Sequence, residues 1–319
     1  MKKYSKDFLL SAYQKMLEIR KFEEKCGNIY TQKEIRGFCH LYIGQEAIAV
    51  GVKSALKQGD AMITAYRCHG HALAAGEEPK FVLAELMQKK TGTSKGKGGS
   101  MHLFNVDKEF YGGHGIVGAQ VSLGTGIAFT KKYQNTDNVC VAFMGDGAFN
   151  QGQVYESFNM ASLWNLPVLF ILENNGYSMG TSTKRGCANS NELYKRAEPF
   201  GIKAKAIHGM NFFEVYEEIE EALKYVRKGK PMLIEIKTYR YKGHSMSDPA
   251  NYRTKDEVQK YKDLDPIENM EKYLLKNKIA TEESLKNINS QIKDLIKEAY
   301  EFASQSEKPN LSDLHTDIL

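Results

Sequence analysis

The residues best suited to chemistry form two polar clusters, Gly145-Asp146-Gly147 and Asn174-Asn175-Gly176-Tyr177, separated by residues 148–173. Carboxylate and amide oxygens suit Mg²⁺, which often takes only one or two protein side chains and completes its shell with phosphate oxygens. The glycines would let a diphosphate approach the backbone, and a helix expected from about residue 150 would present free N–H groups. Either cluster alone would be an ordinary turn, since Gly, Asn and Asp are the usual turn residues. The two together favour a metal–diphosphate site.

Each cluster follows a short apolar run that is typical of a buried strand, residues 139–144 (VCVAFM) and residues 167–172 (PVLFIL). A helical pattern over residues 150–164 predicts one crossover helix between these strands. Parallel sheets bind their ligands beyond the carboxyl ends of the strands. If the two strands are neighbours, Asp146 and Asn175 therefore lie close together at that edge of the sheet.

The rest of the chain alternates between strand and helix patterns, which predicts an α/β fold with a mostly parallel sheet flanked by helices. We expect one domain over residues 1–319, with a helical N-terminal arm at 1–35 and a helical C-terminal region at 256–319. The glycine-rich segment 91–100 (TGTSKGKGGS) is expected to be a loop, and it lacks the residue order of a nucleotide-binding P-loop. Further strands are expected at 61–64, 202–207 and 232–238, and further helices at 5–32, 44–57, 79–90, 212–228 and 256–305.

The amino-acid composition excludes several classes of protein. Of the 319 residues, 42% are hydrophobic and 26% are charged, which predicts a substantial core and does not predict disorder. The net charge of +5 is spread along the chain, so no nucleic-acid partner is expected. No apolar run approaches the roughly 20 residues that span a bilayer, so no membrane association is expected. The five cysteines are scattered and residues 1–20 resemble neither a signal nor a transit peptide, which predicts reduced thiols and a bacterial cytoplasmic location.

From the residues alone, two other classes of function remain to be weighed. A magnesium-dependent phosphotransferase or phosphatase could use Asp146, but no arrangement of nucleophile or phosphate acceptor accompanies it in the sequence. A non-catalytic structural subunit is the other alternative, and intact metal ligands argue against it because such a subunit has no need of them.

Seven segments together resemble the α subunits of the thiamine-diphosphate-dependent 2-oxo acid dehydrogenases, including the decarboxylating component of the pyruvate dehydrogenase complex. This resemblance runs from about residue 5 to residue 265 and implies a thiamine-diphosphate-binding fold. The segments are GFCHLYIGQEA (37–47), TAYRCHGH (64–71), KGKGGSMH (95–102), YGGHGIVGAQ (111–120), GDGAFNQGQVYES (145–157), LPVLFILENNGY (166–177) and TYRYKGHSMSDP (238–249).

The resemblance implies a role for eleven residues. Those expected to hold Mg²⁺ are Asp146, Asn175 and the backbone carbonyl of Tyr177. Those expected to contact the diphosphate are Tyr66, Arg67, Gly147, Ala148 and His244. Gly115 and Val117 are expected to border the rings of the cofactor. His40 and His244 match active-site histidines, with His40 on the substrate side.

The resemblance also implies an activity and partners. The expected reaction is the oxidative decarboxylation of pyruvate, with the acetyl group passed to a lipoyl group of the dihydrolipoyl acetyltransferase. Acetoin and branched-chain 2-oxo acid dehydrogenases are the alternatives within the family. The glutamate that activates the cofactor is expected on a separate β subunit, in an α₂β₂ heterotetramer, so the α subunit alone is expected to be inactive.

Overall fold

The computed structural model describes residues 4–317, and a six-stranded sheet lies at its centre. The strands of this sheet are β1 (Ala61–Ala65), β2 (Phe110–His114), β3 (Cys140–Gly145), β4 (Val168–Asn174), β7 (Lys203–His208) and β8 (Met232–Lys237), and a small antiparallel hairpin comprises β5 (Tyr177–Ser178) and β6 (Thr181–Ser182). The order across the large sheet is β2-β1-β3-β4-β8-β7, and every pairing in it is parallel. The predicted parallel sheet is therefore confirmed.

Helices cover both faces of the sheet. They are α1 (Lys6–Thr31), α2 (Glu46–Ala55), α3 (His69–Ala75), α4 (Pro79–Leu86), α5 (Ala119–Tyr133), α6 (Gly152–Leu163), α7 (Thr183–Gly186), α8 (Phe212–Val226), α9 (Lys255–Lys262), α10 (Pro266–Lys276) and α11 (Glu282–Gln305). Short 3₁₀ segments occur at Gly99–Met101, Val106–Lys108, Ala148–Asn150, Leu193–Phe200 and Leu311–His315. None of the helices within residues 4–317 combines the length and apolarity that crossing a bilayer requires.

Local sequence sets the starts of several helices. At α1 the Ser5 side chain accepts a hydrogen bond from the Phe8 amide, and at α8 the Asn211 side chain accepts from two amides of the first turn. Asp265 caps α10 in the same way, and Pro266 follows it at the first helical position, where a missing N–H leaves no bond unmade.

The core consists of two apolar layers, one on each face of the sheet. Along β3, Val141 and Phe143 face the layer formed with α1, α2, α4, α8, α10 and α11, while Cys140, Ala142 and Met144 face the layer formed with α5 and α6. Both faces of the strand are buried, which explains its continuous apolar run. Because β1, β3, β4 and β8 run parallel, the loops that follow these strands leave the same edge of the sheet.

The sequence did not predict the strand β2 or the helix α3, nor the short elements β5, β6 and α7. Glycine is unfavourable within strands, so the two glycines of β2 argued against a strand in this segment. The structure requires both: a Cβ on Gly112 would lie 2.1 Å from Cδ1 of Phe104, and one on Gly113 would lie 2.4 Å from Sγ of Cys68. The close approach of neighbouring side chains thus outweighs strand propensity here.

Helix boundaries also differ from the predictions. The single helix predicted at 256–305 is three helices, α9, α10 and α11, because the Asp265 cap and a capping box at Thr281 each start a new one. The helix predicted at 79–90 ends at Leu86, and Gln88 then adopts a positive φ of 58°. The ends of the predicted arm and C-terminal region, residues 1–3 and 318–319, lie outside the described residues, and the division into one domain stays a prediction.

Replacing Phe158 on α6 by alanine tests the aromatic packing of the smaller layer. Phe158 is fully buried, and its ring lies 4.8 Å from that of Phe170 and 5.9 Å from that of Phe200. We expect Phe158→Ala to lower the free energy of unfolding by about 3–5 kcal/mol, measured by urea denaturation and circular dichroism. Phe129→Ala on the neighbouring helix is the control, since that ring is 45% exposed; an equal loss in both variants would contradict the layer assignment.

Candidate active site

The two polar clusters lie side by side at the carboxyl edge of the sheet. β3 and β4 are adjacent, with Gly145 opposite Glu173 in the register, and α6 is the crossover helix between them. Asp146 and Asn175 follow the last residues of these strands, and both side chains are buried. The Oδ2 atom of Asp146 is buried without a hydrogen-bond partner among the described residues. A buried, unpaired carboxylate oxygen beside amide oxygens fits a site for a hard cation.

Asn175 is held by three hydrogen bonds. Its Oδ1 accepts from the Tyr177 amide at 3.2 Å and from Nη1 of Arg240 at 3.1 Å, while its Nδ2 donates to Oε1 of Gln45 at 3.3 Å. The same Arg240 nitrogen donates to the carbonyl oxygen of Tyr177 at 2.9 Å. Arg240 therefore aligns the two oxygens that were predicted as metal ligands beside Asp146.

Arg240 is a functional residue that sequence reasoning missed. It lies in the segment 238–249 (TYRYKGHSMSDP), where the resemblance implies a role for His244 alone. Its second nitrogen, Nη2, donates to the Tyr252 hydroxyl at 2.6 Å, and that hydroxyl donates to Oδ2 of Asp248 at 2.7 Å. Asp248 in turn accepts from the His244 amide at 2.6 Å. One chain of hydrogen bonds thus connects the metal-ligand oxygens with the loop that carries His244.

The electrostatic environment of Asp146 also suits a cation. Burial raises the pKa of its carboxyl to about 6, and the charge of Arg240 acts in the opposite direction without cancelling this effect. A buried carboxylate needs positive charge nearby to remain ionised. A divalent ion at Oδ2 would supply it.

Gly147 lets the β5–β6 hairpin approach the end of β3. A Cβ at this position would lie 2.6 Å from Oγ of Ser178, so a larger residue would push the hairpin away. Ala148 begins a 3₁₀ turn, and the helix that was expected from about residue 150 begins at Gly152. This turn comes directly after Asp146, at the same edge of the sheet.

Tyr66, Arg67, His40 and His244 form a second group at this edge, just beyond β1. The carbonyl oxygen of His244 accepts hydrogen bonds from Nη2 of Arg67 at 2.8 Å and from Nδ1 of His40 at 2.8 Å. The ring of His40 lies 4.5 Å from that of Tyr66 and 4.9 Å from that of His244, measured between centroids. The structure therefore brings together four of the residues that the sequence singled out.

Both histidines of this group are neutral at physiological pH. Burial and the charge of Arg67 lower the pKa of His40 to about 3. The same two causes, with a further contribution from Arg240, lower the pKa of His244 to about 4. The Nδ1 of His40 must carry its single proton, because it donates to a carbonyl oxygen. Its Nε2 is then an acceptor.

Gly115 and Val117 lie between the end of β2 and the start of α5. A Cβ on Gly115 would lie 3.2 Å from Cε1 of His102, so a larger residue there would require that ring to shift slightly. The Val117 carbonyl accepts a hydrogen bond from Nε2 of Gln153 on α6 at 3.1 Å. This bond ties the segment to the helix that follows Asp146, and the Val117 side chain is 41% exposed.

His69, beside Arg67 in the sequence, belongs to a buried structural network. Its Nδ1 lies 2.9 Å from Oε2 of Glu23, and its Nε2 lies 2.8 Å from Oγ of Ser100. The other oxygen of Glu23 accepts from the Tyr42 amide at 2.7 Å. The ligand atoms of Glu23, Cys26 and His69 lie within 4.8 Å of one another, but these bonds already use the carboxylate and the imidazole. The group therefore stabilises the packing of α1 against α3.

Comparisons with known proteins agree along almost the whole chain. A family model described as dehydrogenase E1 component matches residues 14–312. The chain is 55% identical over 314 residues to the pyruvate dehydrogenase E1 component subunit alpha of Rickettsia bellii, covering 98% of this chain and 96% of that relative. It is 54% identical to the protein of the same name from Rhizobium meliloti, covering 99% and 91%. It is 50% identical to the mitochondrial one of Dictyostelium discoideum, covering 98% and 83%.

The neutral histidines predict that the stability of the folded chain decreases in acid. An unfolded histidine takes up a proton near pH 6.5, whereas His40 and His244 do so only near pH 3 and pH 4 in the folded chain. Their contribution is complete above about pH 6.5 and is lost as the pH falls toward 4, since the unfolded state then binds more protons. We expect the urea midpoint to fall between pH 7 and pH 5, and to fall less in a variant with His40→Gln and His244→Gln.

A matched control for this measurement is His315→Gln, an exposed histidine near the C-terminus. It should keep the pH dependence of the unsubstituted chain. The raised pKa of Asp146 has the opposite effect on stability, but it is present in every variant and cancels in the comparison. An identical slope in the double variant and in the control would contradict the assignment of neutral histidines.

Proposed function

The chain belongs to the dehydrogenase E1 component family, and on that basis we propose that it is the α subunit of a pyruvate dehydrogenase that uses thiamine diphosphate. One observation carries this proposal: the candidate metal oxygens and the Tyr66–Arg67 group meet at a single sheet edge within the matched range. The names of the relatives favour pyruvate over acetoin or branched 2-oxo acids. A phosphatase is not favoured, since the relatives carry a dehydrogenase name.

Mg²⁺ is the metal that we assign to this site. Asp146 offers a carboxylate oxygen without a protein partner, Asn175 offers an amide oxygen, and Tyr177 offers a backbone carbonyl. A set of oxygen ligands with only one carboxylate is typical of Mg²⁺ bound together with a diphosphate. The Tyr177 carbonyl has a second lone pair besides the one that accepts from Arg240. Asn175 Oδ1 already accepts from Arg240 and from the Tyr177 amide, so one of these two bonds would give way to the cation.

The diphosphate would be held by the other side of the same edge. Arg67 and Tyr66 are the polar side chains there, with His244 beside them, and the Gly147 and Ala148 backbone lies at the turn that precedes α6. Gly115 and Val117 would border the rings of the cofactor. When bound, thiamine diphosphate supplies an electron sink for the decarboxylation of a 2-oxo acid.

The residues of this chain would bind and orient rather than carry out the whole reaction. His40 presents Nε2 as a hydrogen-bond acceptor near the substrate side, because its Nδ1 is committed to the His244 carbonyl. The glutamate that activates the cofactor would come from a β subunit in an α₂β₂ assembly. The acetyl group would then pass to the lipoyl domain of a dihydrolipoyl acetyltransferase.

An exposed apolar surface supports the β subunit as a partner. We call it the α5–α6 face, and its residues are Ile116, Val117, Leu123, Phe129, Tyr133, Met160, Leu163 and Trp164. Tyr133 is 83% exposed and Leu163 is 68% exposed, and the Phe129 ring lies beside those of Tyr133 and Trp164. Large exposed apolar patches mark interaction sites. The face begins at Val117 beside the proposed cofactor site. A subunit seated on it would therefore also cover that site.

Pyruvate-dependent reduction of an artificial electron acceptor tests the proposed activity. The chain is co-expressed with its β subunit and assayed with Mg²⁺ and thiamine diphosphate. We expect activity with pyruvate, little with acetoin or branched 2-oxo acids, and none from the α subunit alone. Asp146→Asn should lower kcat/KM by at least about 100-fold, because even residues that only support metal ligands cost 10- to 100-fold.

The matched control is Asp107→Asn, an exposed aspartate in a 3₁₀ segment away from the proposed ligands. It should retain the activity of the unsubstituted pair. Pyruvate decarboxylation by the purified α subunit would refute the need for a partner. Failure of the pair to bind thiamine diphosphate would overturn the proposed function, and activity on another substrate alone would change the substrate but keep the mechanism.

Introducing charged residues into the α5–α6 face tests whether the β subunit binds there. A variant with Tyr133→Glu and Leu163→Glu should no longer co-purify with the β subunit, because two carboxylates would have to be desolvated in the interface. Leu295→Glu on α11, in the opposite layer, is the control at another exposed leucine, 39% exposed, and should still co-purify. Size-exclusion chromatography of the co-expressed pair gives the answer, and an intact heterotetramer with both glutamates would place the β subunit elsewhere.

A further inference from the structure

A fully buried carboxylate, that of Glu235 on β8, lies one strand away from the proposed metal loop. Its Oε1 accepts a hydrogen bond from Nδ2 of Asn174 at 2.8 Å, and its Oε2 accepts from the Tyr194 amide at 3.1 Å. Both oxygens therefore face N–H donors. A buried group that is satisfied only in one arrangement fixes that arrangement, because any other leaves a polar atom unpaired.

The bond to Glu235 determines which way the side-chain amide of Asn174 points. With Nδ2 directed at Glu235, the Oδ1 atom faces the other way and accepts from the Gly176 amide at 3.0 Å. The Asn174 carbonyl accepts from the Thr238 amide at 2.9 Å, which ties the same residue to the end of β8. The chain then turns at Gly176, whose φ is 85°. This turn sets where the Asn175 side chain and the Tyr177 carbonyl lie.

We propose that Glu235 is a positioning residue for the metal–diphosphate loop, acting through Asn174 on the two ligand oxygens that follow it. The inference rests on the proposed function, since it concerns the affinity of that loop for a divalent cation. Glu235 itself does not contact the ligand oxygens. Its effect is to hold the turn in one conformation before the cation binds, which lowers the cost of ordering the site.

The isosteric variant Glu235→Gln separates the direction of the hydrogen bonds from the filling of space. An amide group has one acceptor oxygen and one donor nitrogen. One of the two N–H donors, Asn174 Nδ2 or the Tyr194 amide, must then face the new NH₂ group. Either Asn174 turns over and loses its bond to the Gly176 amide, or the 3₁₀ segment at Leu193–Phe200 loses its anchor.

The reciprocal variant Glu235→Gln with Asn174→Asp restores every bond with reversed polarity. The new amide oxygen accepts from the Tyr194 amide, and the new NH₂ group donates to the new carboxylate. The second oxygen of that carboxylate accepts from the Gly176 amide. The net charge of the chain is unchanged, and neither substituted residue is a proposed metal ligand.

Binding of Mn²⁺, followed by electron paramagnetic resonance, is the readout, because Mn²⁺ and Mg²⁺ accept the same oxygen ligands. The αβ complex is titrated in the presence of saturating thiamine diphosphate, with no substrate. We expect Glu235→Gln to weaken Mn²⁺ binding about 10- to 100-fold, as for other residues that orient metal ligands. The reciprocal double variant should return to within about threefold of the unsubstituted complex, in line with the scatter of independent effects.

Asp60→Asn is the matched control, since it removes another buried carboxylate at the opposite, amino edge of the sheet, where Asp60 pairs with Arg227. It should lower the thermal midpoint and leave Mn²⁺ affinity unchanged. If Glu235→Gln fails to assemble, the double variant decides: recovery of assembly and affinity supports the inference, and no recovery overturns it. Unchanged affinity in Glu235→Leu, which removes the acceptor of Asn174 Nδ2 in every arrangement, also overturns it. Absence of Mn²⁺ binding by the unsubstituted complex would instead refute the proposed function.

Discussion

The candidate site depends on one buried guanidinium, that of Arg240. Only 1% of this residue is exposed, and its two terminal nitrogens donate to the Asn175 side chain, the carbonyls of Tyr177 and Met179, and the Tyr252 hydroxyl. All four acceptors are neutral groups, and they satisfy the terminal nitrogens of a charge that burial would otherwise disfavour. Because its acceptors lie on three different segments, Arg240 joins the metal loop, the β5–β6 hairpin and the loop after β8. Each segment alone would be free to move.

The parallel sheet is what allows a single arginine to reach all three segments. β3, β4 and β8 are consecutive in the sheet and parallel, so the loops that follow them leave the same edge next to one another. The order of these strands in the sequence differs from their order in the sheet, which brings residue 240 within reach of residue 175. The order in which the strands are connected therefore determines which side chains meet at this edge of the sheet.

The sequence predicts the strands on which the site stands, because β3 and β4 are buried on both faces and their apolar runs are unbroken. It also predicts Asp146 and Asn175, since oxygen-bearing side chains directly after two such strands have few structural alternatives. It could not predict β2, where the glycines are demanded by Phe104 and Cys68, residues whose approach is set only by the tertiary fold. Nor could the sequence single out Glu235. It is one acidic residue in an apolar strand, and only the fold shows its partners, Asn174 and Tyr194.

The charged residues at the edge of the sheet that carries the site affect one another electrostatically, in addition to the hydrogen bonds between them. Arg67 and Arg240 are both buried there, and burial together with the charge of Arg240 lowers the pKa of Arg67. Burial, together with this positive charge, lowers the pKa of His40 and of His244, so neither takes up a proton at physiological pH. Glu23 and Glu173 partly offset the charge of Arg67, but both guanidinium groups remain fixed beside the proposed ligands in a region of low dielectric. An anion such as a diphosphate would be attracted to this region, and a cation at Asp146 would then be stabilised by both the carboxylate and that anion.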